Sequence, residues 1–168
     1  MRLLKFALAL LACVLLRLVF LQFPNFEPIV AMAIPVAASM GGLAGFLFAL
    51  LANLSFDFIS GRVGLWTLYT SLAYGLVGFG AWFFLHGREL KIRHFIGYSV
   101  AGVLFFDLVT ALLFGLQFGQ TLQNTLVGQI PFTLNHLAGA LFFSLTITPV
   151  AWGFLFKQEE PVVLASNA

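Results

Sequence analysis

Long runs of apolar residues, interrupted by few charged ones, constrain the fold of this chain more than any other feature. Of its 168 residues, 61% are hydrophobic and 8% are charged. About a quarter of the residues in a soluble domain are charged, and they keep its surface in contact with water. This chain has too few charges for that, so its composition predicts an all-α protein that crosses a membrane several times.

Six apolar segments predict six transmembrane helices, since a spanning helix needs about 20 mostly apolar residues. The second segment is short for a span, so we expect it to be tilted, broken or buried among its neighbours. We interpret residues 1–157 as a single six-helix transmembrane domain and residues 158–168 as a short cytoplasmic tail. The segments cover residues 3–22, 28–39, 42–58, 65–85 and 95–118, and the sixth starts at 125 or 131 and ends at 156.

The start of the first segment, MRLLKFALALLAC, has the basic residues and apolar run of a signal peptide. Its apolar run continues to about 20 residues, whereas that of a signal peptide has about 7–15. We therefore expect a helix that is retained in the protein.

The positive charges between the segments predict the orientation in the membrane. Six of the eight lysine and arginine residues lie at places that a six-span chain brings to one side. Positively charged loops stay in the cytoplasm, so both termini are predicted to be cytoplasmic. The six residues are Arg2, Lys5, Arg88, Lys91, Arg93 and Lys157.

Polar side chains within the apolar segments gather near the outer ends of five predicted helices. An ionisable side chain in a membrane is costly and must face the bundle interior or water, so each is a candidate for a functional site. We expect a shared polar cavity that opens to the outside, above an inner half made almost entirely of apolar residues. The polar residues are Arg17, Asn53, Asp57, Trp66, Tyr69, Thr70, Tyr74, Asp107, Asn135 and His136.

Each of these side chains also has a purely structural interpretation. Arg17 and Asp107 can form an ion pair that only holds helices together. His136 alone can be a satisfied core histidine. Trp66 and Tyr69 can belong to the aromatic belt that many membrane proteins carry at the interface with water.

Small residues at helical spacing predict close contacts between helices. Gly41, Gly45 and Ala49 recur every fourth residue, which lets helix backbones approach each other. Ala9 and Cys13 repeat this spacing in the first segment. Such residues either pack helices of the same chain or dock another membrane protein, and the sequence leaves both alternatives open.

Motifs for catalysis and for metal or phosphate binding are missing from the sequence. HExxH, CxxC, GxSxG and a glycine-rich phosphate loop do not occur, and the single cysteine excludes an intramolecular disulfide. Asp107 and His136 can form an acid/base pair, but nothing supplies a nucleophile or oxyanion donors. We expect neither an enzyme nor a cofactor or metal site, and a net charge of +2 is too small to indicate nucleic acid.

Three stretches resemble the substrate-binding S component of energy-coupling factor (ECF) transporters: FPNFEPIVAMAIPVAASMGGLAGFLFALLANLSFD, VLFFDLVTALLFGL and GQIPFTLNHLAGALFFSLTITPV. The resemblance implies a six-helix bundle in the membrane lipid of a prokaryotic plasma (inner) membrane that binds a vitamin or similar micronutrient from outside. It also implies two kinds of partner, a transmembrane T component and two cytoplasmic ATPase subunits. The ligand contacts that it implies are Asn25, Glu27, Asp57, Arg62, Trp66, Tyr69, Asp107, Asn135 and His136.

The resemblance departs from the family pattern in the first helix. Many S components carry an alanine-x-x-x-alanine pair there, which docks the T component, and FALALLAC lacks it. The small residues that are left as candidates for partner docking are Ala9, Cys13, Gly41, Gly45 and Ala49.

A structural role is the alternative. The stretch GFLFALLANLSFDFISGRVGLWTLYTSLAYGLVGFGAW also resembles the rod-shape-determining membrane protein D family, whose members are scaffolds in cell-wall elongation. The stretches FPNFEP and PFTLNH fit the S component better.

Overall fold

The computed structural model describes residues 2–88 and 91–156, and this part of the chain is helical, without strands. Lys157 and the predicted tail, residues 158–168, lie outside the described residues. The predicted all-α architecture is confirmed. Each apolar segment coincides with one helix: α1 Arg2–Val19, α2 Ile29–Met40, α3 Gly42–Ile59, α4 Leu65–Leu85, α5 Ile92–Gln117 and α6 Leu122–Ala151, which continues as a π-helix, Trp152–Phe156.

Four of the described helices are long and apolar enough to cross a membrane: α3, α4, α5, and α6 with its π-helical continuation. They indicate a multi-pass membrane protein. The helix α1 has 18 residues but contains Arg2, Lys5 and Arg17. The helix α2 has only 12 residues, or about 18 Å, against roughly 30 Å for the hydrocarbon core of a bilayer.

The short helix α2 forms the centre of the bundle. Every residue from Ile29 to Ala37 is buried, and α2 contacts all five other helices. A helix that is apolar on all sides is expected to be buried on all sides. The helix is continuous through Pro35, whose carbonyl accepts a hydrogen bond of 2.7 Å from the Ser39 hydroxyl. Of the arrangements predicted for the second segment, the structure shows the buried one.

Glycines bring α3 and α4 into backbone contact. A Cβ atom on Gly45 would overlap the carbonyl oxygen of Gly78, and a Cβ on Gly78 would overlap that of Gly45. Ala49, one turn further along α3, is fully buried beside Gly78. The small residues of α3 therefore pack helices of this chain, which is the first of the two alternatives left open by the sequence.

The burial of the predicted docking residues corrects the prediction that they dock a partner. Ala9, Cys13, Gly45 and Ala49 have no exposed surface to offer a partner, because they pack against other helices of the chain. Gly41 is half-buried and ends α2 with a φ of 96°, a positive value that favours glycine. Its part in the structure is a turn between two helices.

Candidate functional site

A cavity of about 480 Å³ opens at one end of the bundle. It is lined by the last turns of α1, α3 and α5, by the first turns of α4 and by the second and third turns of α6. The connections at residues 20–28 and 60–64 complete it. Ligand pockets typically measure about 300–1,000 Å³, so this one fits a small organic molecule. The polar residues that line it are Arg17, Asn25, Glu27, Asn53, Asp57, Arg62, Trp66, Thr70, Tyr74, Asp107, Thr110 and Gln129.

A buried ion pair joins α1 to the segment that precedes α2. Arg17, in the last turn of α1, pairs with Glu27, and each side chain is 10% exposed. The Arg17 Nη1 also donates a hydrogen bond of 3.0 Å to Asn53 Oδ1, and its guanidinium lies 3.8 Å over the ring of Phe56. Buried charges need such compensation, so the polar contacts of Arg17 are made within the protein.

Polar contacts between α3 and α4 form one wall of the cavity. The side-chain amide of Asn53 donates hydrogen bonds of 2.9 Å to the hydroxyls of Thr70 and Ser71. One turn further along α3, Asp57 Oδ2 accepts a hydrogen bond of 2.6 Å from the Thr67 hydroxyl. Because these groups are satisfied by neighbours and all but Thr70 are buried, they fix the wall in one arrangement.

The floor of the cavity is a network around His136. The Nδ1 atom lies 2.9 Å from Asp107 Oδ1, and Nε2 lies 3.3 Å from the hydroxyl of Tyr74 and 3.8 Å from Glu27 Oε1. A carboxylate only accepts hydrogen bonds, so this network places a proton on Nδ1. The ring of Phe106 stacks on Tyr74 at 3.9 Å and packs edge-on against the imidazole of His136 at 5.3 Å. These ring contacts hold the imidazole in place.

One oxygen next to this network differs from the others in its hydrogen bonding. Asp107 Oδ2 is buried and has no hydrogen-bond partner among the described residues. Buried polar atoms are nearly always hydrogen-bonded, because their desolvation is otherwise uncompensated. Since Asp107 lines the cavity, a bound molecule is one source of the missing donor. In residues 2–88 and 91–156, no group of three His, Cys, Asp or Glu side chains converges as metal ligands would.

Aromatic rings supply most of the apolar lining. Trp66 is 49% exposed, and its Nε1 donates a hydrogen bond of 2.9 Å to the carbonyl of Arg62. The phenylalanines are spread over four separate parts of the chain, so no periodic pattern in the sequence identified them. The rings that line the cavity, apart from Trp66 and Tyr74, are Phe20, Phe23, Phe26, Phe56, Phe106, Phe114 and Phe132.

Most of the predicted ligand contacts lie at this cavity. Asn25 adopts a φ of 58°, a left-handed conformation that asparagine tolerates, at a turn between α1 and α2. His136 lies behind the lining, in contact with four residues that form it: Glu27, Tyr74, Phe106 and Asp107. The predicted residues in the lining itself are Asn25, Glu27, Asp57, Arg62, Trp66 and Asp107.

Two predicted contacts lie elsewhere. Tyr69 is half-buried and packs edge-on against Phe114, with ring centroids 5.8 Å apart. Asn135 is exposed on α6 while His136 is 1% exposed. Asn135 is not among the residues that line the cavity, whereas His136 contacts several of them. The expectation that Asn135 shares the cavity with His136 is corrected accordingly.

Several lining residues were absent from the implied ligand contacts. Arg17, Asn53 and Tyr74 already belonged to the predicted polar layer. Thr110 and Gln129 were not singled out. For Thr110 a signal existed, since it lies three residues after Asp107 and therefore on the same helix face.

A family model described as "Family of unknown function (DUF6580)" matches residues 1–159, and the chain belongs to this family. No curated protein matches the chain. No solved structure matches it either.

Proposed function

We propose that this member of the DUF6580 family is the substrate-binding subunit of an ECF-type importer and captures a vitamin or related micronutrient. The cavity is the observation that supports this most strongly. Five helices and two connections contribute ionisable and aromatic side chains to a single space of ligand size. A buried carboxylate oxygen without a partner among the described residues adds a place for a ligand donor. The three stretches that resemble S components contribute to the same space.

In this proposal all six helices cross a prokaryotic plasma membrane, and the cavity faces outward. The positive-inside rule supports this orientation. Because α1 and α5 end at the cavity, their first residues lie at the opposite end of the bundle, which is therefore cytoplasmic along with both termini. The short α2 is surrounded by neighbouring helices, so its length need not match the bilayer. The basic residues at the cytoplasmic end are Arg2, Lys5, Arg88, Lys91 and Arg93.

Labelling of single cysteines tests this orientation. In a Cys13→Ala background, Arg62→Cys and His86→Cys place one thiol in each of two exposed connections, before and after α4. We expect a membrane-impermeant maleimide to label Arg62→Cys on intact cells and to label His86→Cys only after permeabilisation. The reverse pattern would turn the cavity towards the cytoplasm and contradict uptake from outside.

The proposal requires partners, because the chain has no ATPase motif. A transmembrane T component and two cytoplasmic ATPase subunits would supply the energy for release of the ligand inside. The small residues of α1 and α3 are buried within the chain, so docking of the T component would use other surfaces.

Ligand retention tests the binding function directly. We expect protein purified in mild detergent to release a small molecule on denaturation, detected by mass spectrometry. His136→Ala removes the donor that holds Asp107, and a hydrogen bond to a charged group contributes about 1.5–3 kcal/mol. Retention should therefore fall about tenfold or more, and Trp66→Ala should weaken it too by removing a ring at the cavity.

Asn135→Ala is the matched control for His136→Ala. It changes the neighbouring residue, which is exposed and does not line the cavity, so retention should stay at the wild-type level. Thermal unfolding of each variant separates loss of ligand from loss of fold. An empty wild-type preparation that co-purifies with wall-synthesis proteins would instead favour the scaffold function.

A further inference from the structure

We infer that the ligand of this cavity is a flat heterocycle that donates an N–H hydrogen bond to Asp107 and carries no anionic group. This inference rests on the proposed function and names the chemical class of its substrate. Amine-bearing pyrimidines and purines are the simplest molecules of this class.

The two carboxylate oxygens of Asp107 differ in what they contact. Oδ1 is held by His136 Nδ1 at 2.9 Å, whereas Oδ2 is buried and has no partner among the described residues. Asp107 is 3% exposed, so bulk water does not compensate the oxygen. Because His136 fixes one oxygen, the other keeps a defined position just behind the cavity surface that Asp107 lines, and as a carboxylate oxygen it can be satisfied only by a donor.

The charges around the cavity disfavour an anionic ligand. Three carboxylates line it, those of Glu27, Asp57 and Asp107, against two guanidinium groups. Arg17 is already compensated by Glu27 and Asn53, and Arg62 is exposed to solvent, which screens its charge. An anion would therefore meet an excess of negative charge inside and no uncompensated buried cation, whereas a neutral or cationic donor would be favoured.

One face of α5 combines an acceptor with aromatic surface. Phe106, Asp107, Thr110 and Phe114 all line the cavity, because they recur at helical spacing. Thr110 donates its proton to the carbonyl of Phe106 at 2.8 Å, which leaves its hydroxyl oxygen as a further acceptor. A flat ring stacks well on such aromatic side chains, while its amino group reaches the acceptors between them.

Two sets of probes distinguish flat N–H donors from flat anions as ligands of this cavity. Adenine, cytosine and 4-aminopyrimidine carry N–H donors, and benzoate and nicotinate are flat anions of similar size. The purified full chain is titrated with each, and binding is followed by thermal unfolding and by tryptophan fluorescence. We expect at least one amine-bearing probe to raise the unfolding temperature of the wild type and neither acid to do so.

Asp107→Asn tests the residue itself. Asparagine keeps the shape of the side chain and one oxygen that accepts from His136. Its NH2 group replaces the other oxygen and can only donate, so it cannot accept a hydrogen bond from an N–H group of the ligand. We expect affinity for the responsive probe to fall at least tenfold in this variant, whereas Asn135→Ala should bind as the wild type does. Equal affinity in wild type and Asp107→Asn would overturn the inference.

The remaining outcomes separate this inference from the proposed function. Stabilisation by the acids alone would overturn the ligand class and leave the binding function standing. If no probe binds, or if Asp107→Asn does not fold, the molecule released from denatured wild type decides. A flat N–H donor without an anionic group supports the inference, any other molecule overturns it alone, and no molecule at all overturns both.

Discussion

Gly78→Ala is expected to separate α3 from α4 and to leave little folded protein. The added methyl group would overlap the backbone carbonyl of Gly45, which cannot rotate away as a side chain can. Overpacking of a close contact costs about 1–3 kcal/mol and occasionally more, and we expect the upper end because both partners are backbone. Gel filtration and thermal unfolding in detergent measure the loss.

A glycine in an open position provides the control for Gly78→Ala. Gly97, in α5, has no atom within 4 Å of the position of an added Cβ, so Gly97→Ala should be neutral or slightly stabilising, given the higher helix propensity of alanine. Gly45→Ala should reproduce the defect from the other side of the contact. Normal stability of Gly78→Ala would show that α3 and α4 are not in backbone contact.

Arg17→Met is expected to destabilise the protein by about 3–5 kcal/mol, the usual cost of leaving one member of a buried ion pair uncompensated. The Glu27 carboxylate would remain at its site, where both side chains of the pair are 10% exposed. Asn53 Oδ1 would also lose the donor that it has at 3.0 Å. Unfolding by heat and by denaturant, monitored by circular dichroism, gives the change in stability.

The double variant Arg17→Met/Glu27→Gln separates the effect of the uncompensated Glu27 charge from the effect of the other contacts that Arg17 makes. Its glutamine has the shape of the glutamate without the negative charge, so a large part of the lost stability should return. The loss that persists reports the contacts of Arg17 with Asn53 and Phe56. If single and double variants were equally unstable, the uncompensated carboxylate would not be the cause of the defect.

The comparison of Asn135 with His136 shows where sequence reasoning reached its limit. Both were predicted to lie near the outer end of the sixth helix, because each residue of a helix advances it by a fixed distance along its axis. Their directions were not separable. In a soluble helix the apolar stripe marks the buried side, but a membrane helix meets lipid on one side and protein on the other, and both are apolar.

For the aromatic lining and for the small residues, too, the sequence did not show which neighbour each side chain faces. Nothing in the sequence distinguished Phe106 and Phe114, which line the cavity, from Phe83 and Phe154, which are 64% and 84% exposed. Spacing identified Gly45 and Ala49 as contact residues, but it could not say whether the partner was α4 or another protein.

The sequence by itself determined the helices, their order and the clustering of most polar side chains towards one end of the bundle, because apolar segment length and rise per residue are properties of each helix alone. The tertiary structure decided which way each helix is turned. That rotation brings Asp107 into contact with His136, pairs Arg17 with Glu27 and leaves Asn135 exposed on the surface of the bundle. It depends on contacts between segments far apart in the chain, where steric fit at residues such as Gly45 and Gly78 selects one packing.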